Sequence, residues 1–306
     1  MTFRVYDALT TPHHNTDTWV KETSRKVQEH PLLGYTYPPN KVIDDSQQAD
    51  EFGMSNVPEA LQWKKVDVVG IGDSYAQVAN GVFFERFKAN ELRYHSLAIF
   101  GYGPVQYNVL MKEYGPKLHP KVYLYFVYLG NDPGDIRRYE NWQASGKTWY
   151  EFNDGYFMPI QRRGVFWGWR LFLGRAKGFT RTVLSRKAYG ALKGIVKRDE
   201  AETVFEYVLR ANVLAQGQKT PMLVLIIPRM ARHKPLLDPI ANKLADLCAK
   251  NNIACLDLDP AFGDVEGRAR FFAPDGHWNE AGIQASWAYL WDRKRTTFIP
   301  AQKSAQ

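Results

Sequence analysis

Cysteine is scarce in this sequence of 306 residues, which contains only Cys248 and Cys255. Two cysteines cannot build a multi-bridge disulfide framework, and no Cys or His stands near them at zinc-ligand spacing. They are expected as buried small hydrophobes. Also missing is any run of eighteen apolar residues, and Met1 to Lys21 contains no apolar signal-peptide core. As written, the chain reads as soluble and unexported, cytoplasmic unless a leader or anchor has been removed. A third absence is local. From Gly155 to Arg198 there is not one Asp or Glu, while eleven Lys or Arg fall there.

That local absence reframes the net charge of +8. The eleven cations exceed the whole surplus, so the basic character belongs to one internal segment and not to a surface spread of charge for a polyanion. Hydrophobic content of 45% against 24% charged residues excludes wholesale disorder.

Strand-like runs recur at Val66 to Ile71, Arg93 to Ile99, Val122 to Leu129, Met222 to Ile227 and Ile253 to Leu258. Helical spacing of apolar residues falls between and after them, at Tyr75 to Ala89, Val105 to Tyr114, Glu200 to Ala215, Pro239 to Lys250 and Ile283 to Arg295. The alternation predicts an α/β fold, a three-layer α/β/α flavodoxin-like sandwich on a five-stranded parallel sheet, with ligands at the carboxyl ends of the strands. Residues 1–65 read as a loop-rich lead-in, and residues 66–306 as the main domain. Asp132 to Arg198 interrupts the alternation, as an insertion at about 133–198.

Four polar motifs fall at the expected sheet edge. The first strand ends in Gly70-Ile71-Gly72-Asp73-Ser74-Tyr75, which puts a serine at the start of a helix, where backbone N–H groups favour negative charge. Such a serine can equally be a simple N-cap. A dinucleotide reading fails because Tyr75 stands where the third glycine belongs and the second strand ends in Ala98-Ile99-Phe100 without an acid; no cofactor is expected. The α/β-hydrolase elbow is incomplete at Ala76. Of seven histidines, only His277 lies in a loop entering the last helix, and Asp275, two residues before it, projects to the same side if the segment is extended. That pairing suits a serine, histidine and aspartate triad; an ordinary turn or, less readily, a metal pair are the competing readings. Gly101 in Phe100-Gly101-Tyr102-Gly103, and Asn131 in Gly130-Asn131-Asp132, follow strands two and three, where they could donate to an oxyanion or simply make turns.

The ordered set resembles the SGNH (GDSL-like) hydrolase superfamily, whose blocks carry Ser, Gly, Asn and His in this order, over about residues 66–295. The resemblance implies Ser74 as nucleophile, the Ser74 N–H, Gly101 and Asn131 as the oxyanion hole, and His277 with Asp275 completing the triad. It implies an ester hydrolase acting through an acyl-enzyme. Asp275-Gly276-His277 is one residue shorter than the family's usual Asp-x-x-His, as in polysaccharide-modifying branches. Phrases at His30-Pro31-Leu32-Leu33-Gly34 and Phe52-Gly53 are similar to members found with bacterial surface-polysaccharide biosynthesis. The favoured substrate is therefore an acylated molecule or glycan, with O-acetyl esters on a carbohydrate foremost. The alternatives are a polysaccharide O-acyltransferase with the same residues, a lipid or thioester hydrolase, and a non-catalytic glycan-binding scaffold.

Residues 155–198 interleave their cations with Phe166, Trp167, Trp169, Phe172 and Phe179. They read as helices packed on the core, as an element touching an anionic membrane surface, or as a lid for an acidic glycan. No nucleic-acid module surrounds them, so nucleic acid is set aside.

Overall fold

A computed structural model of the chain describes residues 27–153, 199–229, 239–263, 268–273 and 276–299. Compact packing divides the chain into two units, residues 1–35 with 145–198 and residues 36–144 with 199–306. In the first unit, β1 (Gln28–His30) pairs with β2 (Gly34–Thr36). A helical turn at Trp149–Phe152 lies against this hairpin. Its Thr148 and Glu151 cap one another reciprocally, its Tyr150 hydroxyl donates to the Val27 carbonyl at 3.2 Å, and the Trp149 ring lies 5.7 Å from that of Tyr35.

The second unit opens with an antiparallel pair, β3 (Gln48–Ala49) and β4 (Ser55–Asn56). The apolar runs that follow become β5 (Val68–Gly72), β6 (Tyr94–Ala98), β7 (Val122–Tyr128), β8 (Met222–Ile227) and β9 (Cys255–Asp257). They form one all-parallel sheet in the order β6-β5-β7-β8-β9. Between and after the strands stand α1 (Ser74–Lys88), α2 (Pro104–Glu113), α3 (Asp132–Ser145), α4 (Glu200–Gly217), α5 (Pro239–Lys250) and α6 (Glu280–Phe298). This is the expected α/β sandwich: helices flank the parallel sheet, and strands such as β8 are apolar throughout and wholly buried.

Alternation along β7 shows the two faces. Leu124 and Phe126 enter the core shared with α1 and α6, whereas the Tyr125 hydroxyl donates to Asn108 Oδ1 of α2 at 2.9 Å. An aromatic seam joins α1 to α6: Phe87 stacks on Tyr94 at 5.3 Å and meets Trp287 edge-on at 4.6 Å. The lead-in is tied to the edge strand β6 through Asn56, which accepts the Ser96 N–H at 2.8 Å and donates to the Ser96 carbonyl at 2.9 Å.

Two expectations change. The alternation does not stop at Asp132, because α3 occupies residues assigned to the insertion; its buried stripe, Ile136, Tyr139 and Trp142, repeats every three residues behind a Pro and a Gly. The cysteines are not free small hydrophobes. Cys248, near the end of α5, is bonded to Cys255 at the start of β9, since the tight return from helix to strand brings their Cα atoms to 6.2 Å, within disulfide reach. The basic aromatic stretch at 155–198 lies outside the described residues. Among those residues, no helix is long and apolar enough to cross a membrane.

Candidate active site

The strand order places a switch point between β5 and β7, whose chains leave the sheet toward opposite faces and open a crevice at their carboxyl ends. Ser74 and Asn131 follow those two strands directly. The approach at β5 is tight: a Cβ on Gly72 would stand 2.7 Å from Ala76 Cβ and 2.9 Å from Phe126 Cβ, so only glycine lets the chain turn into α1 here. Asp73 caps α1 by accepting the Tyr75 N–H at 2.9 Å, which leaves Ser74 as the first helical residue. The serine is therefore not itself the cap.

His277 arrives from the far end of the chain, and its Nε2 lies 2.7 Å from Ser74 Oγ across a separation of 203 residues. Both its neighbours are anchored to Tyr75, the residue after the serine. The Tyr75 hydroxyl donates to the Gly276 carbonyl at 2.7 Å, and Trp278 Nε1 donates to the Tyr75 carbonyl at 2.9 Å. An isolated bridge between Phe272 and Trp278 closes the loop, and Asn279 caps α6 by accepting the Gly282 N–H. Asp275, assigned to the triad, lies outside the described residues.

Asn131 reaches the same crevice. Its Nδ2 donates to Asp73 Oδ2 at 3.0 Å, so the one buried carboxyl of Asp73 joins the serine turn to the Asn131 turn. An amide nitrogen carries two protons, and the bond to Asp73 uses one. Gly101, after β6, is partly exposed and has a left-handed φ of +70°, with its carbonyl accepting from Arg138. Sequence reasoning gave Asp73 no role; its position between Gly72 and Ser74 was the available signal, but only the fold shows that its carboxyl reaches Asn131.

Acids gather behind these turns. Burial raises the Asp73 carboxyl above its usual range, against the pull of the Asn131 and Tyr75 donors. Asp132 is fully buried, with Tyr107 donating to Oδ1 at 3.0 Å and the Tyr128 N–H to Oδ2 at 2.8 Å; burial and the neighbouring Asp73 push its carboxyl well up. Burial pushes Asp135 up to about 7, opposed by Arg138. Among the described residues no cluster of His, Cys, Asp and Glu could hold a metal ion.

The class defined by this geometry is an α/β protein with a serine and histidine in hydrogen-bond contact at the carboxyl edge of its parallel sheet. No family model and no curated protein matches the chain. Solved structures similar to it include a GDSL-like lipase from Bacteroides thetaiotaomicron, with 12% identity over 76% of this chain and 88% of that one at a TM-score of 0.43. A lipase/acylhydrolase from Enterococcus faecalis has 11% identity over 74% and 96%, TM-score 0.44. An acetyl xylan esterase has 13% identity over 75% and 100%, TM-score 0.43.

Proposed function

We propose that the chain is a serine ester hydrolase that removes acyl groups, foremost O-acetyl groups from a carbohydrate. The observation that carries this reading is the 2.7 Å contact between Ser74 Oγ and His277 Nε2 at the switch point of the sheet. In this reaction His277 takes the Ser74 proton as Oγ attacks the ester carbonyl, then gives it to the departing alcohol. Water, deprotonated by the same imidazole, releases the acid from the acyl-enzyme. The Ser74 N–H at the start of α1, the second proton on Asn131 Nδ2 and the Gly101 N–H are the donors for the oxyanion. Asp275 is the proposed third member of the triad.

The carbohydrate substrate is supported by the sequence resemblance to polysaccharide-modifying proteins. The Cys248–Cys255 disulfide is compatible with an oxidising compartment. The test is fluorophosphonate labelling and p-nitrophenyl acetate hydrolysis by the native protein and Ser74→Ala. Labelling should vanish in the variant and turnover should fall by about 10⁴-fold or more; equal labelling of the two proteins refutes the nucleophile. Acetate release from acetylated oligosaccharides then checks the substrate class.

A further inference from the structure

The loop after β6 carries Gly101, and two side chains from separate helices grip it. Gln77, one turn into α1 from Ser74, accepts the Phe100 N–H on Oε1 at 2.8 Å. Arg138 of α3 donates from Nη2 to the Gly101 carbonyl at 2.6 Å, and the same nitrogen lies 2.9 Å from Asp135 Oδ1. These bonds hold the peptide units on either side of the one that bears the Gly101 N–H. That middle unit is thus restrained from both flanks while its own N–H is used by neither bond.

The Arg138 contact is the stronger strut because its donor is charged. It is also fixed at its base: α3 begins one residue after Asn131, and Arg138 stands seven residues along, about two helical turns, so a rigid helix connects it to the Asn131 turn. Asp135 presses on the same loop, since a Cβ on Gly103 would stand 2.6 Å from Asp135 Cβ. Arg138 is half-shielded, with 36% of its side chain exposed, so its carbonyl contact is not that of a freely waving surface arginine.

We propose that Arg138 is a positioning residue: by holding the Gly101 carbonyl it sets the direction of the Gly101 N–H relative to Asn131 Nδ2 and Ser74 Oγ. This rests on the reading of Ser74 as nucleophile with Gly101 and Asn131 as oxyanion donors. The experiment measures p-nitrophenyl acetate turnover by the full chain, its Ser74→Ala control, Arg138→Ala and Arg138→Lys, with thermal midpoints alongside. Arg138→Ala should lose about 10- to 100-fold in kcat with KM unchanged, the scale of a misplaced catalytic group. Added guanidinium ion should restore part of that loss, and Arg138→Lys should fall between the two. Arg138→Ala or Arg138→Lys with native kcat, while Ser74→Ala is inactive, overturns the inference and leaves the proposed function standing. A loss that guanidinium does not relieve, with KM raised and the midpoint lowered, also overturns it, since that is a structural defect. Native turnover in Ser74→Ala removes both readings.

Discussion

Asp73 stands between the two residues that attract attention, Gly72 and Ser74, and its single carboxyl organises both turns of the crevice. One oxygen holds the first turn of α1 and the other holds the amide of Asn131. Keeping this buried group costs solvation, which is why its proton affinity rises. The Asn131 amide is thereby oriented before any substrate arrives, the condition under which a donor lowers a barrier instead of merely binding. Asn131→Ala should accordingly lower kcat by about 10²- to 10³-fold in p-nitrophenyl acetate hydrolysis. Unchanged turnover would take the amide out of the proposed oxyanion hole. At this scale the meeting of Ser74 and His277 was legible because each occupies a recognisable block at the same sheet edge. Asp73 and Arg138 were not, because their partners, Asn131 and Gly101, are brought to them only by the closure of the sheet.

The elements were legible where burial is continuous. Met222 to Ile227 and Pro239 to Lys250 appear with the same bounds in the fold, since a wholly apolar run and a long amphipathic stripe each permit one answer. Helix α3 escaped because three buried residues spaced by three, following a Pro and a Gly, make a weak helical signal. The disulfide escaped for a different reason: the cysteines stand seven positions apart, and only the fold of α5 back onto β9 shows that they meet. Closing so short a loop restrains the unfolded chain modestly. Replacing both cysteines by alanine should lower unfolding stability by about 2 kcal/mol in urea titrations. A thiol assay on unfolded protein isolated without reductant should find no free sulfhydryl; two would overturn the bond.

For the whole molecule, the net charge of +8 says little about the crevice, where buried acids dominate. Their effect on stability has a definite sign. In the unfolded chain Asp135 ionises in the usual carboxylate range, whereas in the fold it keeps its proton up to about 7. Between about pH 4 and about pH 7 the unfolded state therefore binds fewer protons, and the contribution of this group to stability falls as pH rises, levelling off above. Asp132 acts in the same direction. Urea midpoints of native protein and Asp135→Asn should show the variant gaining on the native protein as pH is raised through this window. A difference independent of pH would refute the raised affinity.

The distance along the chain between Ser74 and His277 has a consequence for when the pair can form. Ser74 is translated early and His277 follows 203 residues later, beyond the last strand of the parallel sheet, β9. On the proposed function, a ribosome-bound chain stalled before His277 would hold Ser74 without its base, so reactivity toward esters would arise only once synthesis had passed the whole sheet.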